Sequence, residues 1–173
     1  LDVTIQVQIL DLMQDLCHRL KIALVIITHN LGVVARYADR VLVMYGGRMM
    51  EQGACRPLFQ SPRHLYTAGL LASVPTLEGP LGRRLAGIEG TPPSPTHLPP
   101  GCPFAPRCMH AQPACTEASG TRLTDVGTLS ACVRADDMAA GRIRWTTGMA
   151  EAPAAAPAAA AAGTRRAYPH FHR

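Results

Sequence analysis

The chain has 173 residues, six cysteines and a formal net charge of +5, enough for one ordinary domain with an appendage. No apolar stretch approaches the roughly 20 residues that cross a bilayer, and no signal-peptide pattern is present, so the sequence predicts a cytoplasmic chain with reduced cysteines. Arginines are spread from Arg19 to Arg173 without forming one basic face, and Arg165-Arg166 reads as a solvated tail. A nucleic-acid partner is therefore not expected. The chain opens Leu1-Asp2 without methionine, and an upstream segment is expected to precede it.

Asp2 can cap a helix starting near Val3, and Ile9, Leu10, Met13, Leu16, Cys17 and Leu20 recur at helical spacing. This predicts an amphipathic helix with one buried stripe. Its opening, Val3-Thr4-Ile5-Gln6-Val7-Gln8, alternates like a strand, but length favours helix. Cys17 falls on the stripe as a small hydrophobe. The run Ala23-Leu24-Val25-Ile26-Ile27-Thr28 is continuously apolar and predicts a strand covered on both faces, as in a parallel sheet. His29 follows it directly, and ligands of open α/β sheets gather at such carboxyl ends. An imidazole there can donate to a phosphate oxygen or move a proton; a structural histidine is the other reading.

A helix through Val33, Val34 and Tyr37 comes next, then a strand at Val41–Tyr45. Gly46-Gly47 can supply the positive φ of a tight turn, returning Arg48–Gln52 antiparallel until Gly53. Short helices are predicted around Arg56–Gln60 and Leu65–Ser73, separated by Ser61-Pro62, with Cys55 incidental at a strand-to-helix junction. From Pro75 onward glycine and proline become frequent, which predicts a linker into a second module. The last segment, from about Met149, alternates alanine runs with Pro153 and Pro157. It has no apolar face to bury and is expected to be disordered, with His170 and His172 in that tail.

Cys102, Cys108, Cys115 and Cys132 are separated by five, six and sixteen residues in a Pro/Gly-rich stretch. Four thiolates can hold a zinc ion or an iron–sulfur cluster, and ligation would add folding free energy to a short module. The spacing matches neither the paired CxxC zinc pattern nor the ferredoxin patterns, so the metal stays open, and two disulfides remain the alternative. His110 lies within the module and could replace one cysteine.

Several segments together resemble the ATP-binding subunits of ABC importers for oligopeptides, dipeptides and, in close relatives, nickel. Leu1-Asp2-Val3-Thr4-Ile5-Gln6 is similar to that family's D-loop and following helix, and Val25–Val34 to its switch-histidine segment. Ala38–Val41 through Met44–Arg48 resembles the next strand pair. Arg63-His64-Leu65-Tyr66-Thr67-Ala68-Gly69-Leu70-Leu71 resembles a marker of the oligopeptide branch, and Gly101–Cys108 its cysteine-containing extension. The resemblance covers about residues 1–135.

The resemblance implies an α/β fold, with residues 1–74 as the carboxyl-terminal part of an ABC-type P-loop nucleotide-binding domain and 75–135 as a small cysteine-rich extension; beyond it, composition predicts 136–173 as a low-complexity, disordered tail. It implies that His29 is the switch histidine at the ATP γ-phosphate, with ATP and Mg held in the complete subunit. Asp2 would be the D-loop aspartate at a head-to-tail contact with a second ATP-binding subunit. Transmembrane permease subunits would be the other partners, a substrate-binding protein would act indirectly, and the chain would lie on the inner face of the cell membrane. Cys102, Cys108, Cys115 and Cys132 would hold a [4Fe–4S] cluster, with zinc as the alternative. Asn30 stands where the family has aspartate, and Leu65 where it has proline. No G-x-x-x-x-G-K-[ST] loop, glutamine loop, signature or Walker B strand occurs, so the chain alone is expected neither to bind ATP tightly nor to hydrolyse it. Two other classes are open: a non-catalytic adaptor or metal-binding module built on the four cysteines, and an unrelated enzyme with His29 as general base and Asp39 nearby in sequence.

Overall fold

The computed structural model describes residues 3–74, 87–94, 96–117 and 122–146. Helix α1 spans Val3–Leu20 and α2 spans Leu31–Tyr37. Strands β1 (Arg40–Tyr45) and β2 (Arg48–Ala54) lead into α3 (Cys55–Gln60) and α4 (Leu65–Ala72). Short 3₁₀ turns at Ala105–Arg107 and Pro113–Thr116 precede β3 (Thr124–Asp125), β4 (Leu129–Ser130) and α5 (Ala135–Ala139). The four strands form one antiparallel sheet in the order β1-β2-β4-β3. Among the described residues no helix is long and apolar enough to cross a membrane.

The hairpin forms as its sequence predicts. Gly46 and Gly47 have φ of 56° and 74°, the pair of positive angles that a two-residue turn matching strand twist requires. Val43 pairs with Glu51 and Met44 with Met49, leaving Met50 as the extra residue of a bulge. A bulge breaks the two-residue alternation, and Met50 and Glu51 are consequently both buried although adjacent.

The start of the chain departs from expectation. Residues 23–28 form no strand, and Val25 and Ile27 are 84% and 96% exposed. A strand exists only through its neighbours' hydrogen bonds, and among the described residues none lies beside this run. The apolar stripe of α1 is likewise uncovered at Ile9, Met13, Leu16 and Leu20, with Tyr37 Oη donating to Asp11 at 2.7 Å as the main tie to α2. The helix itself closes as a Schellman-type end, with Lys21 at φ 54° and the Ile22 amide donating to the Cys17 carbonyl at 3.2 Å. The antiparallel hairpin expected from Val41 to Gln52 is present, whereas the parallel-type strand expected at residues 23–28 does not form.

The core lies further along. Tyr45, Met50, Leu65, Cys102, Phe104, Ala105, Cys115 and Ile143 form one buried cluster, with Tyr66, Ile88, Cys108, Cys132, Met138 and Trp145 packed against it. Residues before position 75 and after position 100 therefore share a single core across the compositional break. Arg107 strengthens the join by donating to the carbonyls of Ile88 and Glu89 and to Tyr45 Oη. Order also continues past residue 135, where a tail was expected to begin. Asp137 accepts from Arg134 and Arg142, and Ile143 and Trp145 reach the core. Residues 147–173, with His170 and His172, lie outside the described residues, as does Asp2.

A candidate cysteine centre

The site is built from β2 outward. Glu51 is fully buried and uses both carboxylate oxygens: Oε1 accepts from the Arg63 amide at 2.7 Å and from Thr128 Oγ1 at 3.0 Å, and Oε2 accepts from the His64 amide at 3.1 Å. Ser130 on β4 donates to the Arg63 carbonyl at 3.0 Å and accepts from the Cys132 amide at 3.2 Å. Two strands thus clamp the turn that starts α4, and that turn sets His64.

His64 is the N-cap of α4, its Nδ1 accepting from the Tyr66 amide at 3.0 Å. The ring is 1% exposed, and burial lowers its pKa to about 4 because the charged form would lose its hydration. Its Nε2 faces Cys102 Sγ at 4.0 Å, and Phe104 packs beside the ring with centroids 6.3 Å apart.

Cys102, Cys108, Cys115 and Cys132 line one cavity with His64 and Phe104, and its volume is about 20 Å³, room for roughly one water. All four are free thiols, so the two-disulfide alternative is not the arrangement present. Burial raises the pKa of Cys102 and Cys132 and pushes Cys108 up to about 11, with neighbouring cysteines adding to each shift. The thiols of Cys102, Cys108 and Cys132 are thus held protonated unless a cation replaces the protons. Among the described residues no three His, Cys, Asp or Glu side chains are arranged to hold a single metal ion. His110 lines the same cavity, but its Nε2 contacts the Arg144 carbonyl at 2.9 Å.

Gly101 makes the close approach of Cys102 and Cys115 possible. Its φ is 71°, and a Cβ there would come within 2.6 Å of Thr116 backbone, while the Cys102 amide donates to the Cys115 carbonyl at 2.8 Å. Gly101→Ala is expected to cost about 2 kcal/mol through left-handed strain and this collision. Urea unfolding would measure it, and a loss below about 0.5 kcal/mol would contradict the packing described.

His29 stands apart from this centre. It is exposed at the corner before α2, where Asn30 caps the helix by accepting from the Gly32 and Val33 amides at 3.0 and 3.3 Å. The Asn30 amide donates in turn to Thr28 Oγ1 at 3.0 Å. Sequence reasoning named His29 and the four cysteines but missed Glu51 and His64. Only a histidine opening a helix just after Ser61-Pro62 signalled the latter.

The described residues thus form a hairpin carrying a cysteine-lined core, behind a helix corner that presents a histidine. Residues 50–115 match the family described as the oligopeptide/dipeptide transporter C-terminal region. The chain is 48% identical over 124 residues to the oligopeptide transport ATP-binding protein AppD of Bacillus subtilis, covering 72% of this chain and 38% of that protein. It is 46% identical over 134 residues to the oligopeptide transport ATP-binding protein OppD of Salmonella typhimurium, covering 78% and 40%. Against the dipeptide transport ATP-binding protein DppD of Bacillus subtilis it is 50% identical over 115 residues, covering 66% and 34%. The chain is thus similar to the oligopeptide and dipeptide transport ATP-binding proteins, and it spans about 40% of the length of the relatives it matches.

Proposed function

We propose that these residues are the carboxyl-terminal part of an ATP-binding subunit that powers peptide import through an ABC transporter. The observation that carries this reading is the match of residues 50–115 to the transporter C-terminal region, joined in one chain to the His29 corner. In a subunit of the relatives' full length, ATP and Mg would be held mainly by phosphate-binding residues that this sequence does not contain. His29 would reach the γ-phosphate, positioning the attacking water and stabilising developing charge. Asp2 would contribute at the contact with a second ATP-binding subunit, and permease subunits would hold the pair on the cytoplasmic face of the membrane. The uncovered apolar surface of α1 and residues 23–28 supports a larger domain around this region. The test is ATP-driven peptide uptake into vesicles carrying the permease and a full-length subunit with these residues. Uptake dependent on ATP is expected; a complex that forms but turns over ATP without moving peptide would overturn the substrate class.

The finer reading is that Cys102, Cys108, Cys115 and Cys132 hold a [4Fe–4S] cluster. Four free thiols on one cavity supply the soft donors such a cluster takes. When bound, the cluster would cross-link the 102–115 segment to Cys132 and could supply one-electron chemistry. Anaerobic iron and acid-labile sulfide analysis tests this. About four of each per chain is the expectation, and zinc alone or no metal would reject it.

A further inference from the structure

We propose that His64 is a positioning residue of the cysteine centre: its Nε2–H is a fixed hydrogen-bond donor to the sulfur of Cys102 and tunes the cluster held there. This rests on the [4Fe–4S] reading above and assigns a role to a residue outside the four ligands.

The helix cap sets the tautomer of the ring. The Tyr66 backbone amide can only donate, and it points at His64 Nδ1 from 3.0 Å. Nδ1 therefore carries no proton, which leaves the ring proton on Nε2. That nitrogen faces Cys102 Sγ at 4.0 Å, a distance at the outer edge of an N–H···S contact for a neutral thiol. A negatively charged sulfur is the stronger acceptor. The backbone that carries the ring is held by Glu51 Oε2 on the His64 amide at 3.1 Å and by Ser130 Oγ on the Arg63 carbonyl at 3.0 Å, and the ring itself is held by the Tyr66 amide and by burial. Phe104, fully buried, packs alongside it. A cap, two strand side chains and an aromatic neighbour thus fix one donor toward one sulfur. Such outer donors orient ligands and, by favouring the more negative reduced state, raise the potential of an iron–sulfur group.

Two substitutions separate the two ends of the ring. His64→Asn keeps an acceptor near the place of Nδ1, preserving the cap, but cannot reach Cys102; His64→Gln extends an amide toward the place of Nε2 and gives up the cap. The full chain is reconstituted anaerobically with ferrous iron and sulfide, and iron, sulfide and midpoint potential are measured. Both variants are expected to hold as much iron and sulfide as the parent. His64→Asn should shift the potential to more negative values, and His64→Gln should stay near the parent while unfolding more readily. An unchanged potential in His64→Asn would reduce His64 to a helix cap, and loss of iron would make it a ligand rather than a donor. In the iron-free chain, ¹⁵N resonances of the His64 ring should show the Nε2–H tautomer, with Cys102→Ala moving the Nε2–H proton. The Nδ1–H tautomer, or no response to Cys102→Ala, would overturn the hydrogen bond itself. If the reconstituted parent holds no iron or sulfide, the cluster reading fails, and the ring tautomer with its response to Cys102→Ala still decides the donor.

Discussion

Glu51→Ala is expected to lower the free energy of unfolding by about 3–5 kcal/mol, measured by urea denaturation. Three donors converge on this one carboxylate: the Arg63 and His64 amides and the Thr128 hydroxyl. The site is fully buried, so their removal from a partner is not repaired by bulk water, and each stranded donor costs about 1–3 kcal/mol. Glu51→Gln keeps an oxygen for one side of the cluster of donors, and its loss should be roughly half as large. The effect extends to function, because the same two amides set the position of His64 against Cys102. A loss below about 1 kcal/mol for Glu51→Ala would show that β2 does not clamp the start of α4.

The second large effect is acid sensitivity of the metal-free chain. His64 has its pKa lowered by burial from 6.5 to about 4. Between those values the unfolded chain binds a proton at this residue and the folded chain does not. Stability from this group is therefore fully present above pH 6.5 and is lost as pH falls toward 4. The complete loss is about 3 kcal/mol, since a tenfold change in proton affinity is worth about 1.4 kcal/mol. Asp137, whose pKa the guanidinium groups of Arg134 and Arg142 lower from 3.8, acts in a separate window below pH 3.8. Comparing urea midpoints of the parent and His64→Asn from pH 7 to pH 4 isolates the histidine. The gap between them should narrow as pH falls, and a constant gap would contradict the buried neutral ring.

The elements legible in sequence are those whose signals are local. Helical spacing gave α1, and paired glycines gave the turn between β1 and β2, because both follow from dihedral preference and short-range period. Residues 23–28 misled for a physical reason: an apolar run records what the chain can bury, while a strand also needs a partner that these residues do not contain. The cysteines were readable as a group from their number and Pro/Gly-rich setting. Their union with Tyr45, Met50 and Leu65 in one core was not readable, since it depends on contacts across the compositional break. Glu51 was hidden for a related reason. Alternation along a regular strand cannot place Met50 and Glu51 both inside, and only the bulge opposite Val43 and Met44 does so.

The most direct test of the importer assignment is His29→Ala in a subunit of full family length assembled with its permease, with ATP binding and ATP turnover measured separately. Turnover should fall by about 10²–10³-fold, the scale of losing one preorganised group at developing charge, while ATP binding stays near the parent level. Hydrolysis at the parent rate would contradict the assignment of His29 to the γ-phosphate.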